Sequence, residues 1–109
     1  MINYLFIECR DPFESRDVRF LAETAVALKQ RDNEVTVFLV QNGVLAARRN
    51  ALGSHLPGLP QAGIRLLADD FSLRERGIEA DEMQPGIQLS NIDALLDILV
   101  RENTKVIWH

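Results

Sequence analysis

IRLLADDFSLRERGI, residues 64–78, carries an apolar strand, Ile64 to Ala68, straight into two adjacent carboxylates, Asp69 and Asp70, and then into a short helix closed by Gly77. In open α/β sheets the carboxyl ends of the strands and the helix N-termini that follow them form the crevice that binds ligands. Asp69 and Asp70 therefore stand where a site is expected. Ser72-Leu73-Arg74-Glu75 has the Ser-x-x-Glu form of a capping box ahead of that helix.

Upstream, Val35 to Val40 reads VTVFLV, apolar apart from Thr36, a run typical of a parallel strand covered on both faces. Gln41-Asn42-Gly43 then turns the chain into a short helix expected over Val44 to Asn50. Gly43 lets the backbone approach a neighbour or an anion closely, so Asn42 and Gly43 read either as a turn and helix cap or as a backbone anion site. Ile2 to Glu8, INYLFIE, is a first strand. After it Asp11 is the expected N-cap, Pro12 the first helical residue, and Glu14 the partner that completes a capping box. Phe13, Val18, Leu21, Ala25 and Leu28 recur at helical spacing and make the buried stripe of a helix ending near Asp32-Asn33.

Gly53 to Pro60, GSHLPGLP, holds two prolines and two glycines, which predicts a mobile surface loop or an oligomer contact rather than regular structure. Pro85 to Leu89 is a strand fragment or an extended linker. Ser90 is the expected cap of a last helix with Ile92, Leu95, Leu96, Leu99 and Val100 on its apolar face, and Thr104 to Trp108 is the closing strand. The alternation predicts a three-layer α/β/α sandwich around a mainly parallel sheet of about five strands, with right-handed crossovers. No repeat or linker divides residues 1–109, which read as a single domain. No helix follows the last strand, so part of the sheet or of a helix face is expected to be buried against another subunit, and Trp108 and His109 lie in that region.

Composition narrows the function classes. The chain is 47% hydrophobic, and 12 basic residues against 16 acidic ones give a formal net charge of −4. Arg10, Arg16, Arg19, Arg31, Arg48 and Arg49 are scattered among acids rather than gathered into a stripe, which argues against a nucleic-acid partner. No apolar run reaches the ~20 residues that cross a bilayer, and MINYLFIECRD lacks a basic n-region, so a cytoplasmic protein without a membrane partner is expected. The one cysteine, Cys9, fits a reducing compartment. His55 and His109 have no metal-ligand spacing, so neither a metal nor a cofactor is expected.

VTVFLVQNGVLAARR, residues 35–49, and IRLLADDFSLRERGI, residues 64–78, resemble the two signature regions of the DsrE/DsrF/DsrH-like (DsrEFH) proteins, and the order of elements agrees over nearly the whole chain. The resemblance implies a small cytoplasmic α/β subunit of a homo-oligomer, a trimer or hexamer, or of a hetero-oligomer with other DsrE-like subunits. It also implies sulfur relay and a possible sulfur-carrier protein as partner. Active members of that family carry a cysteine at the end of the third strand, three positions before the serine. Here that position is Asp69, and a carboxylate cannot form a persulfide.

The residues leave three roles open. Asp69 and Asp70 either cap the following helix, hold a cation or phosphoryl group, or form an acid/base or ligand-binding pair that His55 reaches from its loop. Cys9, at the carboxyl end of the first strand, either packs as a small hydrophobe or takes over as the sulfur-carrying, catalytic thiol, activated by Arg10 and the helix starting at Pro12. The expected function is a non-catalytic binding or assembly subunit in sulfur metabolism. The alternatives are a persulfide carrier using Cys9 and a small-molecule or anion binder at the strand ends.

Overall fold

The computed structural model describes residues 1–49, 51 and 55–109. Five strands, β1 (Asn3–Glu8), β2 (Glu34–Leu39), β3 (Arg65–Asp69), β4 (Ile87–Ser90) and β5 (Thr104–Trp108), form one sheet in the order β4-β3-β2-β1-β5, and every neighbouring pair is parallel. The helices are α1 (Asp17–Gln30), α2 (Asp70–Glu75) and α3 (Ile92–Leu99). The predicted α/β sandwich is what the chain forms.

Alternation along the strands explains the layers. Phe6, Val35, Val37, Leu39, Leu66 and Ala68 point to one face, where Val18, Leu21, Ala22 and Ala25 of α1 and Leu73 of α2 pack on them. Leu5, Ile7, Phe38 and Leu67 point to the other and meet Leu95 and Ile98 of α3. From β1 to β4 each strand is added beside the last, whereas β5 returns to the far side of β1. A constant crossover hand then puts the β4-to-β5 helix on the opposite face from α1, which is where α3 lies. One eight-residue helix is thus the main cover of one whole face.

Several local expectations give way to longer-range packing. The helix expected from Pro12 starts at Asp17, because Asp11 is used in a turn instead: its Oδ1 accepts from the Phe13 N–H at 3.0 Å and its carbonyl from those of Glu14 and Ser15. Phe13, released from the stripe, is 50% exposed. The helix expected over Val44 to Asn50 is a 3-10 turn, Gln41–Ala47, whose Val44, Ala46 and Ala47 are buried in the core. Residue 50 lies outside the described residues. Of the expected loop, Gly53 and Ser54 also lie outside them, but the rest is not an open loop. It folds as 3-10 turns at Leu56–Gly58 and Pro60–Ala62, and Leu56 and Leu59 are core residues.

Caps shift as well. Asn91, not Ser90, caps α3 by accepting from the Ala94 N–H at 2.9 Å. On α3 only Leu95 and Ile98 are fully buried, while Ile92, Leu96 and Val100 are exposed.

Gly43 fixes how the 3-10 turn meets the sheet. A Cβ there would stand 2.2 Å from the Glu8 carbonyl oxygen, so only glycine lets the turn close over the end of β1. The obstacle is backbone held in the ladder by the Val40 N–H, which donates to it at 3.0 Å. Gly43→Ala is expected to cost about 1–3 kcal/mol, the usual range for overpacking a tight site, read as a lowered urea midpoint at unchanged m-value.

Candidate functional site

The carboxyl ends of β1, β2, β3 and β5 open into a crevice of about 560 Å³ between α2 and α3. Its apolar wall is Ile7, Val40, Ile92, Leu95, Leu96, Leu99, Phe71 and Trp108, and its polar end is Gln41, Asn42, Asp69, Ser72, Glu75 and Arg76. The size and the mixture, a largely apolar body with a few convergent polar groups, are those of a small-molecule site.

The polar end is held by a relay through Ser72. The Ser72 hydroxyl donates to Asp69 Oδ2 at 2.7 Å and accepts from the Gln41 N–H at 2.9 Å, which ties the end of β2 to the end of β3. Asp69 Oδ2 also accepts from the Ser72 N–H at 3.0 Å and so is the N-cap of α2. The Ser-x-x-Glu motif therefore works from within the helix: Ser72 is its third residue and receives the cap. Gln41 is bent into the left-handed region, φ +51°, a conformation that costs on the order of 1 kcal/mol for a residue with a Cβ. Arg76 closes the rim, donating through Nε to Asn42 Oδ1 at 3.1 Å and through Nη1 to the Ser72 carbonyl at 3.2 Å.

Among the residues singled out from sequence, Asn42 and Asp69 line the crevice together. Asp70 does not. It opens the first turn of α2, where its charge complements the helix dipole. Gly43 is buried behind the wall against β1. His55 is not brought to the carboxylates: it lines a separate depression with Pro12, Ser15, Arg16 and Arg19. Cys9 is half-buried outside the crevice, and its thiol donates to the His109 backbone oxygen at 3.2 Å. The helix N-terminus expected to activate it is absent, since α1 begins eight residues later, at Asp17. Among the described residues no cluster of His, Cys, Asp or Glu is arranged to hold a metal ion, and no helix is long and apolar enough to cross a membrane.

Sequence reading missed a buried pair. Glu8, 0% exposed, meets His109 Nδ1 through Oε2 at 2.6 Å and accepts the Arg10 N–H through Oε1 at 2.9 Å. Nothing local marks it, because β5 brings residue 109 beside residue 8 only once the sheet exists. The signal that could have found it was a glutamate ending an otherwise apolar buried strand, a position that demands a partner. Burial pushes the Glu8 carboxyl above its ordinary value, against the opposing pull of His109 and Arg10.

A model of the DsrE/DsrF-like family matches residues 3–108, all but the ends of the chain. The protein belongs to the DsrE/DsrF-like family. Solved structures agree on the fold. The ychN protein of E. coli superposes with a TM-score of 0.88 at 16% identity, over 100% of both chains. MTH1491 of Methanobacterium thermoautotrophicum, a protein of unknown function, gives 0.81 at 20% identity, again over 100% of both. BT1422 of Bacteroides thetaiotaomicron, likewise of unknown function, gives 0.78 at 19% identity, over 98% of this chain and 94% of its own. No curated protein matches the sequence.

Two consequences of this geometry are measurable. Asp69→Ala removes the cap and orphans the Ser72 hydroxyl, so it is expected to cost about 1–2 kcal/mol in urea unfolding, with Asp69→Asn, which keeps an acceptor, costing less. Because the folded state raises the Glu8 pKa, it binds that proton more tightly than the unfolded chain. Its contribution is complete below the ordinary carboxylate value of 4.5 and is lost as pH rises through the raised one. Stability of the wild type relative to Glu8→Gln is therefore expected to fall over that interval, read from paired denaturation curves across pH.

Proposed function

We propose that this DsrE/DsrF-like protein is a non-covalent binding subunit in intracellular sulfur handling, holding a small ligand in the crevice between α2 and α3. The observation that supports it most is the state of position 69, where the resemblance puts the sulfur-carrying cysteine of active family members. Asp69 is 8% exposed and its Oδ2 is engaged by both the backbone and the hydroxyl of Ser72. That carboxylate organises the floor of the site, and no thiol lines it. The apolar wall favours a ligand with an apolar body, and Gln41, Asn42 and Arg76 favour a polar group at the opposite end.

Assembly with further copies or with other DsrE-like subunits is part of the proposal. Its support is the thinly covered sheet face, where Ile92 and Leu96 of α3, Val106 of β5 and the 65% exposed Trp108 leave apolar surface in water. The reading with Cys9 as a persulfide carrier finds less support, since the thiol lies outside the crevice and faces a backbone oxygen rather than a cation.

Intact-mass spectrometry after incubation with a polysulfide donor and removal of excess donor, beside a Cys9→Ser control, separates the two. The binding reading expects no retained gain of one sulfur mass, and native spectra expect an oligomer. A stable single-sulfur adduct that Cys9→Ser abolishes would make Cys9 the carrier and end the proposal.

A further inference from the structure

On the outer side of Arg76, away from the apolar wall, Arg48, Arg49 and Arg76 line an open depression of about 540 Å³ together with Gly77, Ile78, Asp81 and Glu82. Three cations on one small surface of a chain with net charge −4 call for a physical account. The usual one, neutralisation by neighbouring carboxylates, does not hold. Ion pairs do form elsewhere on the surface, Arg10 with Asp17, Arg19 with Glu23 and Lys29 with Glu34. Here, among the described residues, no carboxylate oxygen comes within 4.0 Å of any of the three guanidinium groups, although Asp81 and Glu82 share the depression. Glu82 is turned away from them: its Oε1 accepts the Glu79 N–H at 3.0 Å in a capping box.

Each guanidinium is instead aimed by neutral oxygens. Arg48 Nε donates to the Leu45 carbonyl at 2.9 Å and Arg49 Nε to the Met83 carbonyl at 3.2 Å. Arg76 is held by Asn42 Oδ1 and the Ser72 carbonyl. The backbone beneath is clamped in turn. Arg48 bridges Met83 across an antiparallel contact, the Arg49 N–H donates to the Glu82 carbonyl at 2.9 Å, and the Gln84 amide donates to the Ala46 and Arg48 carbonyls. Orienting hydrogen bonds at Nε leave both Nη groups of Arg48 and Arg49 without a partner among the described residues, a fork that matches the spacing of two oxygens on a tetrahedral oxoanion. Side-chain entropy that an exposed arginine would lose on binding has already been given up on folding.

We propose that this depression is an oxoanion site, taking phosphate or a chemically similar group either as the free ion or as the terminal group of a small organic ligand. Two carboxylates in the same depression oppose three cations, which limits the affinity and sharpens the requirement that oxygens reach the Nη groups. The site does not depend on what the crevice binds. Arg76 is the one side chain that lines both.

Titration of the isotope-labelled protein with inorganic phosphate and, separately, with phenyl phosphate tests it, followed by NMR through the arginine Nε–H signals and the amides of Gly77, Ile78 and Glu82. Saturable shifts with at least one of the two are expected, weakened roughly tenfold by Arg49→Gln and less by Arg49→Lys, and weakened by added sodium chloride. Saturation by both, or by phosphate alone, identifies a free-ion site. Saturation by phenyl phosphate alone identifies a site for a phosphorylated organic ligand. Arg49 is exposed and its variants are expected to fold, with Arg48→Gln as the second variant. Absence of saturable shifts with either probe, or an affinity unchanged in both Arg49→Gln and Arg48→Gln, overturns the proposal. General stabilisation by phosphate as an excluded salt gives no saturation and no variant effect, and counts with the overturning results.

Discussion

The Ser72 hydroxyl, caught between the Gln41 N–H and Asp69 Oδ2, is the contact on which the site depends. It joins two strand ends that are neighbours in the sheet but 31 residues apart in the chain. It also starts α2 through the same carboxylate that caps it. A charged acceptor that receives both a backbone N–H and a hydroxyl is a strong arrangement, and it offsets the left-handed strain at Gln41. Remove it, and the polar end of the crevice loses the tie between Gln41 and Asp69. Asp69 therefore holds the geometry of the strand end, through the Ser72 N–H and hydroxyl.

A second constraint sits on the other side of the sheet end. Gly43 brings the 3-10 turn down onto the Glu8 carbonyl, while the Glu8 side chain, buried, is satisfied by His109 and the Arg10 N–H. The end of β1 is thus saturated with backbone and charged contacts, and Cys9 follows it with its thiol on the His109 backbone oxygen. The same packing that makes the sheet end rigid keeps the one thiol out of the crevice.

What was legible in the sequence is what local pattern determines. The apolar runs at Val35 to Val40 and Ile64 to Ala68, broken only by Thr36 and Arg65, are parallel strands buried on both faces, and Asp69 stands at a strand end because the run stops there. What failed was each inference that needed to know the competing partner. Asp11 looked like a helix cap but closes its own turn, Ser72 and Ser90 yielded their caps to Asp69 and Asn91, and Leu56 and Leu59 made a proline- and glycine-rich segment part of the core. One open reading let His55 reach the aspartates from its loop, yet the chain carries it to the depression with Pro12, Ser15, Arg16 and Arg19. The Glu8–His109 pair was invisible for a topological reason: only the return of β5 to the far side of β1 brings the two together. Arg48 and Arg49 read as scattered among acids, and the connection between β3 and β4 brings Arg76 beside them.

The central claim is that the strand-end crevice is where this DsrE/DsrF-like protein binds a small molecule without covalent chemistry. Methyl-resolved NMR of the wild-type protein against a library of small apolar fragments bearing one polar group tests that claim most directly. The account predicts that the binders cluster on the methyl groups of Ile7, Val40, Leu95, Leu96 and Leu99, with coincident shifts at the Gln41 and Ser72 amides. Binders that cluster elsewhere on the surface, or a library that finds none in the crevice, would contradict it.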